Sequence, residues 1–213
     1  VTDQWFISME KTELRKKALE AIKKVKWIPP WGEQRITGMI EARPDWCISR
    51  QRLWGVPVIA LVCKSCGTSH TTSELVDNAV KFFENEGADA WFSHDASDFK
   101  PKGFKCPVCG EKEKFGKEPD ILDVWFDSGV SYSAVLERRE GIEQQADLYL
   151  EGSDQHRGWF HTSLLTSIGT RGRAPYKRVL THGFVVDGDG KKYSKSAKNY
   201  VPPEKLINQH GAE

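Results

Sequence analysis

Four of the five cysteines stand in two pairs, Cys63-Lys-Ser-Cys66-Gly67 and Cys106-Pro-Val-Cys109-Gly110. Two thiolates in one tight turn can hold one edge of a metal tetrahedron. The glycine after each pair lets the backbone fold so that N–H groups point at sulfur. Two such knuckles complete a closed four-sulfur zinc site, which is structural because it leaves no open position for a substrate. The alternatives are two disulfides or four unrelated thiols. A cytoplasmic chain disfavours disulfides, and chance rarely supplies the paired glycines. Cys47, between Trp46 and Ile48, reads as a buried thiol.

A second stretch, Asp187 to Asn199 (DGDGKKYSKSAKN), places four lysines, two serines and two glycines behind the apolar run GFVV. It is too polar to pack. It is either a solvated turn or a mobile loop that holds something with many negative charges. The third stretch is LYLEGSDQHRGWF. If Leu148 to Glu151 end a parallel strand, Gly152 is the turn and Ser153 caps the next helix. Glu151, Gly152, Asp154 and Gln155 then line the crevice at the strand's carboxyl end, where open α/β sheets bind ligands. Gln155 and Trp159, four apart, would share a helix face and set an amide beside an aromatic wall. The plainer reading is an N-capped helix with an acidic first turn. In DVWFDSG, Trp125 and Phe126 can be core, and Asp123 and Asp127 turn residues.

The elements that must position these residues are partly visible. Leu14, Ala18, Ile22 and Val25 recur at helical spacing between Thr12 and Val25, with Lys16, Lys17, Lys23, Lys24 and Lys26 as a solvated face. WIPPWG breaks that pattern, and VPVIALVC reads as a buried strand. Between the cysteine pairs, SELVDNAVKFFENEG reads as a helix capped by Ser73, lined by Val76, Val80 and Phe83, and ended at Gly87. After DVWFDSG come the strand ADLYLEG, a helix, the strand YKRVLTHGFVVD, and a helix opened by Pro202 and Pro203. This alternation predicts an open parallel α/β sheet.

At 213 residues the chain accommodates one large domain or two modest ones. A hydrophobic content of 38%, with eight tryptophans and ten phenylalanines, suits a globular fold. There is no membrane-length apolar run and no signal-peptide pattern, so the expected location is the cytoplasm. The net charge of +1 means that phosphate chemistry must come from local clusters. The abrupt ends suggest a piece of something larger.

RPDWCISRQRLWG, DVWFDSG, EGSDQHRGWF, THGFVVD and KKYSKSAKN together resemble, in this order, the bacterial isoleucyl-tRNA synthetases, a family of class I aminoacyl-tRNA synthetases. The resemblance runs over essentially the whole chain. Lys192-Tyr-Ser-Lys-Ser196 looks like the family's KMSKS loop, with tyrosine for methionine. EGSDQHRGWF favours the isoleucine enzymes over their valine and leucine relatives. The resemblance implies the second half of a Rossmann-type parallel-sheet catalytic domain with an inserted zinc-ribbon-like α+β module. Residues 1–60 would end the connective insertion and return to the catalytic domain, 61–119 would form the zinc module, and 120–213 the catalytic half with the lysine loop.

The same resemblance implies roles. Trp125 and Trp159 would wall the isoleucine side-chain pocket. Glu151, Gly152, Asp154, Gln155, His182, Gly183, Ser194 and Ser196 would meet the ATP or adenylate, and Lys192 and Lys195 would hold the phosphates. Cys63, Cys66, Cys106 and Cys109 would hold structural Zn2+, and Mg2+ would accompany ATP in the full enzyme. The partners would be isoleucine, ATP and tRNA(Ile), with no membrane and a monomeric full-length enzyme. The H-x-G-H half of the ATP site and the editing insertion would lie upstream and the anticodon-binding region downstream, so the 213 residues alone would be inactive. The alternative is a zinc-stabilised tRNA- or RNA-binding module, in which Arg43, Arg50, Arg52 and Trp54 meet phosphates and stack on bases.

Overall fold

The computed structural model describes residues 3–212. Strand β1 (Phe6–Ile7) leads into helix α1 (Leu14–Ile22), whose Leu14, Ala18, Ala21 and Ile22 form one buried stripe. Its lysines are exposed as the pattern requires. Val25 lies beyond the helix end yet is buried. Strand β2 (Lys26–Ile28) and helix α2 (Trp31–Glu41) follow, the helix burying Ile36 and Ile40 one turn apart. Strand β3 (Trp46–Cys47) pairs antiparallel with β1, and β4 (Ser49–Arg50) comes next.

The cysteine region has its own small sheet and core. Strand β5 (Leu61–Cys63) is central, between β6 (Ser69–His70) and β7 (Phe115–Lys117), all antiparallel. Helix α3 (Ser73–Glu86) and the short helices α4 (Ala90–Ser93) and α5 (Ala96–Phe99) lie between β6 and β7 in the chain. Leu75, Ala79, Trp91, Phe99 and Phe115 pack there with Leu61 and two cysteines. The chain returns through β8 (Ile121–Leu122), antiparallel to β4, and enters α6 (Val124–Gly129).

After a π-helical turn (Tyr132–Leu136) come β9 (Tyr149–Gly152), a 3-10 turn (Ser153–His156), α7 (Trp159–Arg171), β10 (Arg178–His182) and α8 (Pro203–His210). The sheet is parallel, in the order β2-β10-β9. Its core joins α1, α2 and Trp46 to Tyr149, Phe160, Leu164 and Tyr176. Both faces of α7 are covered: nine consecutive residues, Phe160 to Ile168, are buried, four of them serine or threonine. Those hydroxyls are satisfied by carbonyls, as with Thr166 Oγ1 donating to Gly129 O at 2.8 Å. No helix among the described residues is long and apolar enough to cross a membrane.

Several sequence expectations shift. The third strand of the parallel sheet comes from residues 26–28, where Lys26 is read as part of the solvated lysine face and Trp27 and Ile28 as part of the WIPPWG break, and α2 is a further element beyond those expected. VPVIALVC is strand only at Leu61–Cys63, with a single bridge at Pro57. Helix α3 ends at Gly87 as expected, but Thr72 caps it, its Oγ1 accepting the Leu75 N–H at 3.2 Å. It buries Leu75 and Ala79, whereas Val76 and Val80 face outward, 38% and 43% exposed. The strand YKRVLTHGFVVD stops at His182.

Candidate active site

Parallel pairing of β9 with β10 sets Glu151 opposite Thr181 and Gly152 opposite His182, at the carboxyl ends of both strands. A Cβ at Gly152 would lie 2.8 Å from Asp154 Oδ1, so a larger residue would make the Asp154 carboxylate shift, and at an ordinary contact distance of 3.6 Å from His182 Cε1. Glu151, Asp154, His182 and Gly183 are exposed there, and Gln155 is half-buried. Asp154 Oδ2 accepts from Gln155 Nε2 at 3.2 Å. His182 Nδ1 is 2.7 Å from Gly183 O, which directs Nε2 away from the backbone.

The chain after β9 does not run straight into a helix. Ser153 caps nothing; residues 153–156 form a 3-10 turn and the α-helix begins only at Trp159. Gln155 and Trp159 therefore do not share one continuous helical face. Instead the Gln155 side chain starts the helix, its Oε1 accepting the Trp159 N–H at 2.9 Å. A Cβ on Gly158 would fall 2.6 Å from Gln155 Oε1 and 2.7 Å from two ring carbons of Trp125, so the Trp125 ring lies against bare backbone.

Trp125 is 42% exposed and Trp159 is half-buried. The Trp159 ring stacks on Tyr149 with centroids 3.9 Å apart and planes 8° from parallel, and its Nε1 donates to Ser131 Oγ at 2.9 Å. Asp123 orients the helix that carries Trp125. Its Oδ1 accepts the Trp125 N–H at 3.1 Å, while Oδ2 accepts from Trp46 Nε1 at 3.1 Å and Arg50 Nη2 at 2.8 Å. Asp123 is thus more than a turn residue. Asp127 beside it has its pKa raised by burial and by the Asp123 charge.

Lys192, Ser194, Lys195 and Ser196 lie on the loop that follows β10, where Val186 bridges to Lys192. Lys192 Nζ sits over the Phe184 ring, 3.6 Å from its centroid. Ser194 Oγ accepts the Ala197 N–H at 3.1 Å and lies 3.2 Å from Ser196 Oγ. Neither Lys192 nor Lys195 takes part in any ion pair among the described residues.

The four paired cysteines converge, with all four Sγ atoms within 4.8 Å of one another. Cys63–Cys109 and Cys66–Cys106 are each 3.6 Å apart, too far for disulfides. Gly67 and Gly110 both adopt φ of +78°, and each donates its N–H to the carbonyl of the first cysteine of its pair. Thr68 Oγ1 and His70 Nε2 lie 3.0 Å from Cys66 Sγ and 3.3 Å from Cys106 Sγ, unanticipated polar neighbours. The arrangement can hold a metal ion. Cys47 is only half-buried, because it sits on a two-stranded edge with its Sγ 3.5 Å from Gln4 Oε1.

The arginine-rich stretch is largely committed to structure. Arg50 is paired with Asp123 and bonded to the carbonyls of Cys47 and Ser49. Arg43 lies over Trp46, 5.2 Å from the ring centroid. Arg52 and Trp54 remain exposed.

The sequence model of the family described as tRNA synthetases class I (I, L, M and V) matches residues 1–213. The chain belongs to this family. Among its curated relatives, the isoleucine–tRNA ligase of Geobacter sulfurreducens is 59% identical over 212 residues, covering 100% of this chain and 23% of that protein. The isoleucine–tRNA ligase of Nitratidesulfovibrio vulgaris is also 59% identical, over 215 residues, with the same shares. The chain therefore spans 23% of the length of these class I synthetases. Among solved structures, Mycobacterium tuberculosis methionyl-tRNA synthetase in complex with methionyl-adenylate superposes with a TM-score of 0.55 at 17% identity, over 98% of this chain and 31% of that one. That likeness shows that the two chains share an α/β fold.

Proposed function

We propose that the chain is the part of an isoleucine–tRNA ligase that carries the second half of the adenylate-forming site, acting in the cytoplasm on isoleucine, ATP and tRNA(Ile). The observation that carries this reading is the β9–β10 register, which brings Gly152 beside His182 at one end of a parallel sheet whose next segment is the lysine loop. The 59% identity to isoleucine–tRNA ligases supports the choice of amino acid.

In the first step an isoleucine carboxylate oxygen attacks the α-phosphorus of ATP, the bond to the bridging oxygen of the β-phosphate breaks, and pyrophosphate leaves. In the second, the terminal ribose hydroxyl of tRNA attacks the adenylate carbonyl and AMP leaves. Positioning and electrostatic stabilisation supply most of such catalysis. Lys192 and Lys195 stabilise the charge that grows on pyrophosphate, and Ser194 and Ser196 add donors to it. His182 and Gly183 flank the adenosine, while Glu151, Gly152, Asp154 and Gln155 meet the ribose and the ammonium end. Trp125 and Trp159 wall the aliphatic side chain, and Mg2+ accompanies the ATP.

Residues 61–119 form a zinc module, between residues 1–60, which return the chain to the catalytic domain, and residues 120–213, the catalytic half. A tetrahedron with Zn–S of about 2.3 Å has S···S edges of about 3.8 Å. The two 3.6 Å separations fit that figure. The four sulfurs leave no open position, so bound zinc would supply stability and no reaction chemistry. The reading as an RNA-binding module is not favoured, since Arg50 and Arg43 are engaged within the fold.

The test is isoleucine-dependent ATP–pyrophosphate exchange by the intact protein that carries this chain. Replacing Lys192 and Lys195 together by alanine should slow exchange by about a hundredfold or more, the scale of losing a transition-state donor. No isoleucine-dependent exchange in the unaltered protein, or full exchange in the double variant, would overturn the reading.

A further inference from the structure

The lysine loop is thirteen residues of polar chain, yet it has a defined shape, and two residues at its ends account for it. Asn199 Nδ2 donates to Asp187 Oδ2 at 2.7 Å and to Lys192 O at 3.2 Å, and Asn199 Oδ1 accepts the Ser194 N–H at 3.0 Å. Asp187 Oδ1 accepts the N–H groups of Asp189 at 3.1 Å and Lys191 at 2.9 Å. One side-chain pair thus fixes the backbone at 189, 191, 192 and 194, on both sides of the first motif lysine and next to the second.

We propose that Asp187 and Asn199 form a clasp that holds the backbone of the lysine loop in the shape its phosphate ligand requires, making both positioning residues for nucleotide binding. The inference rests on the reading of Lys192 and Lys195 as phosphate-holding groups.

Three features support it beyond the bonds themselves. Lys198, next to Asn199, adopts a φ of +55°, a left-handed conformation that residues with side chains rarely take and that must be held in place. Asp187 is a carboxylate within a run of four lysines, and left unsatisfied it would pair with one of them. Here its oxygens are taken by Asn199 and two backbone N–H groups, and its pKa is lowered, chiefly by the Asn199 bond. The lysine charges are therefore left for a ligand. Finally, Lys192 Nζ rests on the Phe184 ring, 3.6 Å from its centroid, a contact that orients the side chain without pairing its charge with a carboxylate.

The test uses the intact protein and reads ATP KM, isoleucine KM and kcat in pyrophosphate exchange, with thermal unfolding as a control. Asn199→Ala and Asp187→Ala should each raise ATP KM by about tenfold, the scale of one or two charge-assisted hydrogen bonds. Isoleucine KM and the unfolding temperature should stay unchanged. Asp187→Asn and Asn199→Asp should each be impaired, as like groups then face one another. The reciprocal double exchange restores a donor opposite an acceptor and keeps the Ser194, Asp189 and Lys191 bonds while giving up the one to Lys192 O, so it should bind ATP better than the worse single exchange.

Unchanged ATP KM in both alanine variants, or a double exchange no better than the worse single one, overturns the clasp. Equal rises in isoleucine and ATP KM overturn it as well, because they would show a general structural role. If the unaltered protein shows no isoleucine-dependent exchange, the underlying reading fails first. The clasp is then rejected with it.

Discussion

Gln155 Oε1 accepts the backbone N–H of Trp159 at 2.9 Å, so one side chain both starts helix α7 and borders the strand-end crevice. The bond is possible because Gly158, between them, carries no Cβ. It also lets the Trp125 ring close onto the same spot, where an added methyl would stand 2.6–2.7 Å from both partners.

Gly158→Ala should therefore break the Gln155 cap and push Trp125 aside together. Overpacking of this kind costs about 1–3 kcal/mol of stability. If Trp125 walls the amino-acid pocket, isoleucine KM should rise in pyrophosphate exchange while ATP KM holds. A variant with unaltered isoleucine KM would remove Trp125 from the pocket.

Metal analysis of the purified protein should find about one zinc per chain, as four thiolates complete one tetrahedron. Cys106→Ser should lose or weaken that metal and lower the unfolding temperature, because the cysteine cluster shares its core with Trp91, Phe99 and Phe115. Zinc retained at full occupancy in Cys106→Ser would contradict the four-sulfur assignment.

His161 lies 2% exposed in α7, and burial, with a smaller contribution from the Arg43 charge, pushes its pKa down to about 3. Its folded pKa lies below the unfolded value of 6.5, so the unfolded chain takes up the proton first. The stability it contributes is present above pH 6.5 and is lost as pH falls toward 3. Between pH 7 and pH 5 that amounts to about 2 kcal/mol at most. Glu137, held at about 2 chiefly by Arg171, releases its contribution only below its ordinary 4.5, whereas His156, its pKa also lowered by burial, adds a slope of the same sign in this window. His161→Gln should flatten the slope of stability against pH in denaturant titrations. An unchanged slope would show that other groups carry it.

What was legible in the sequence was what depends on local chemistry. The two knuckles could be read because chelation needs two thiols and a glycine within five residues, and both glycines indeed take positive φ. Gly87 as a helix stop follows from the same kind of argument. The inward face of α3 was not legible, because the helix carries two apolar stripes. Val76 and Val80 recur at the same helical spacing as Leu75 and Ala79, while Phe82 and Phe83 both pack against the core. The choice between the stripes is made by Trp91, Phe99 and Phe115, which arrive from elsewhere in the chain.

The same limit applies around the candidate site. Asp123 looked like a turn residue because its partners, Trp46 and Arg50, stand more than seventy positions earlier. Strand β2 is three residues long and is recognised as a strand only through its pairing with β10. Gly158 carries only a weak signal, since glycine is modestly enriched at helix starts. Ser153 is the better capping residue by type, yet the backbone leaves it unused.

The cysteine region joins the rest of the chain through two strands lying side by side, Ser49 opposite Leu122 and Arg50 opposite Ile121. The outgoing and returning segments are thus already closed on one another where the excursion begins. A loop whose ends are pinned together can change length at little cost, about 0.6 kcal/mol for each doubling. The antiparallel pair acts as a graft union. Whatever is spliced in beyond it can be enlarged, trimmed or exchanged over generations without moving Trp46, Asp123 or the helix that carries Trp125. Homologues in which this excursion differs in size should therefore keep the strand-end crevice in the same place.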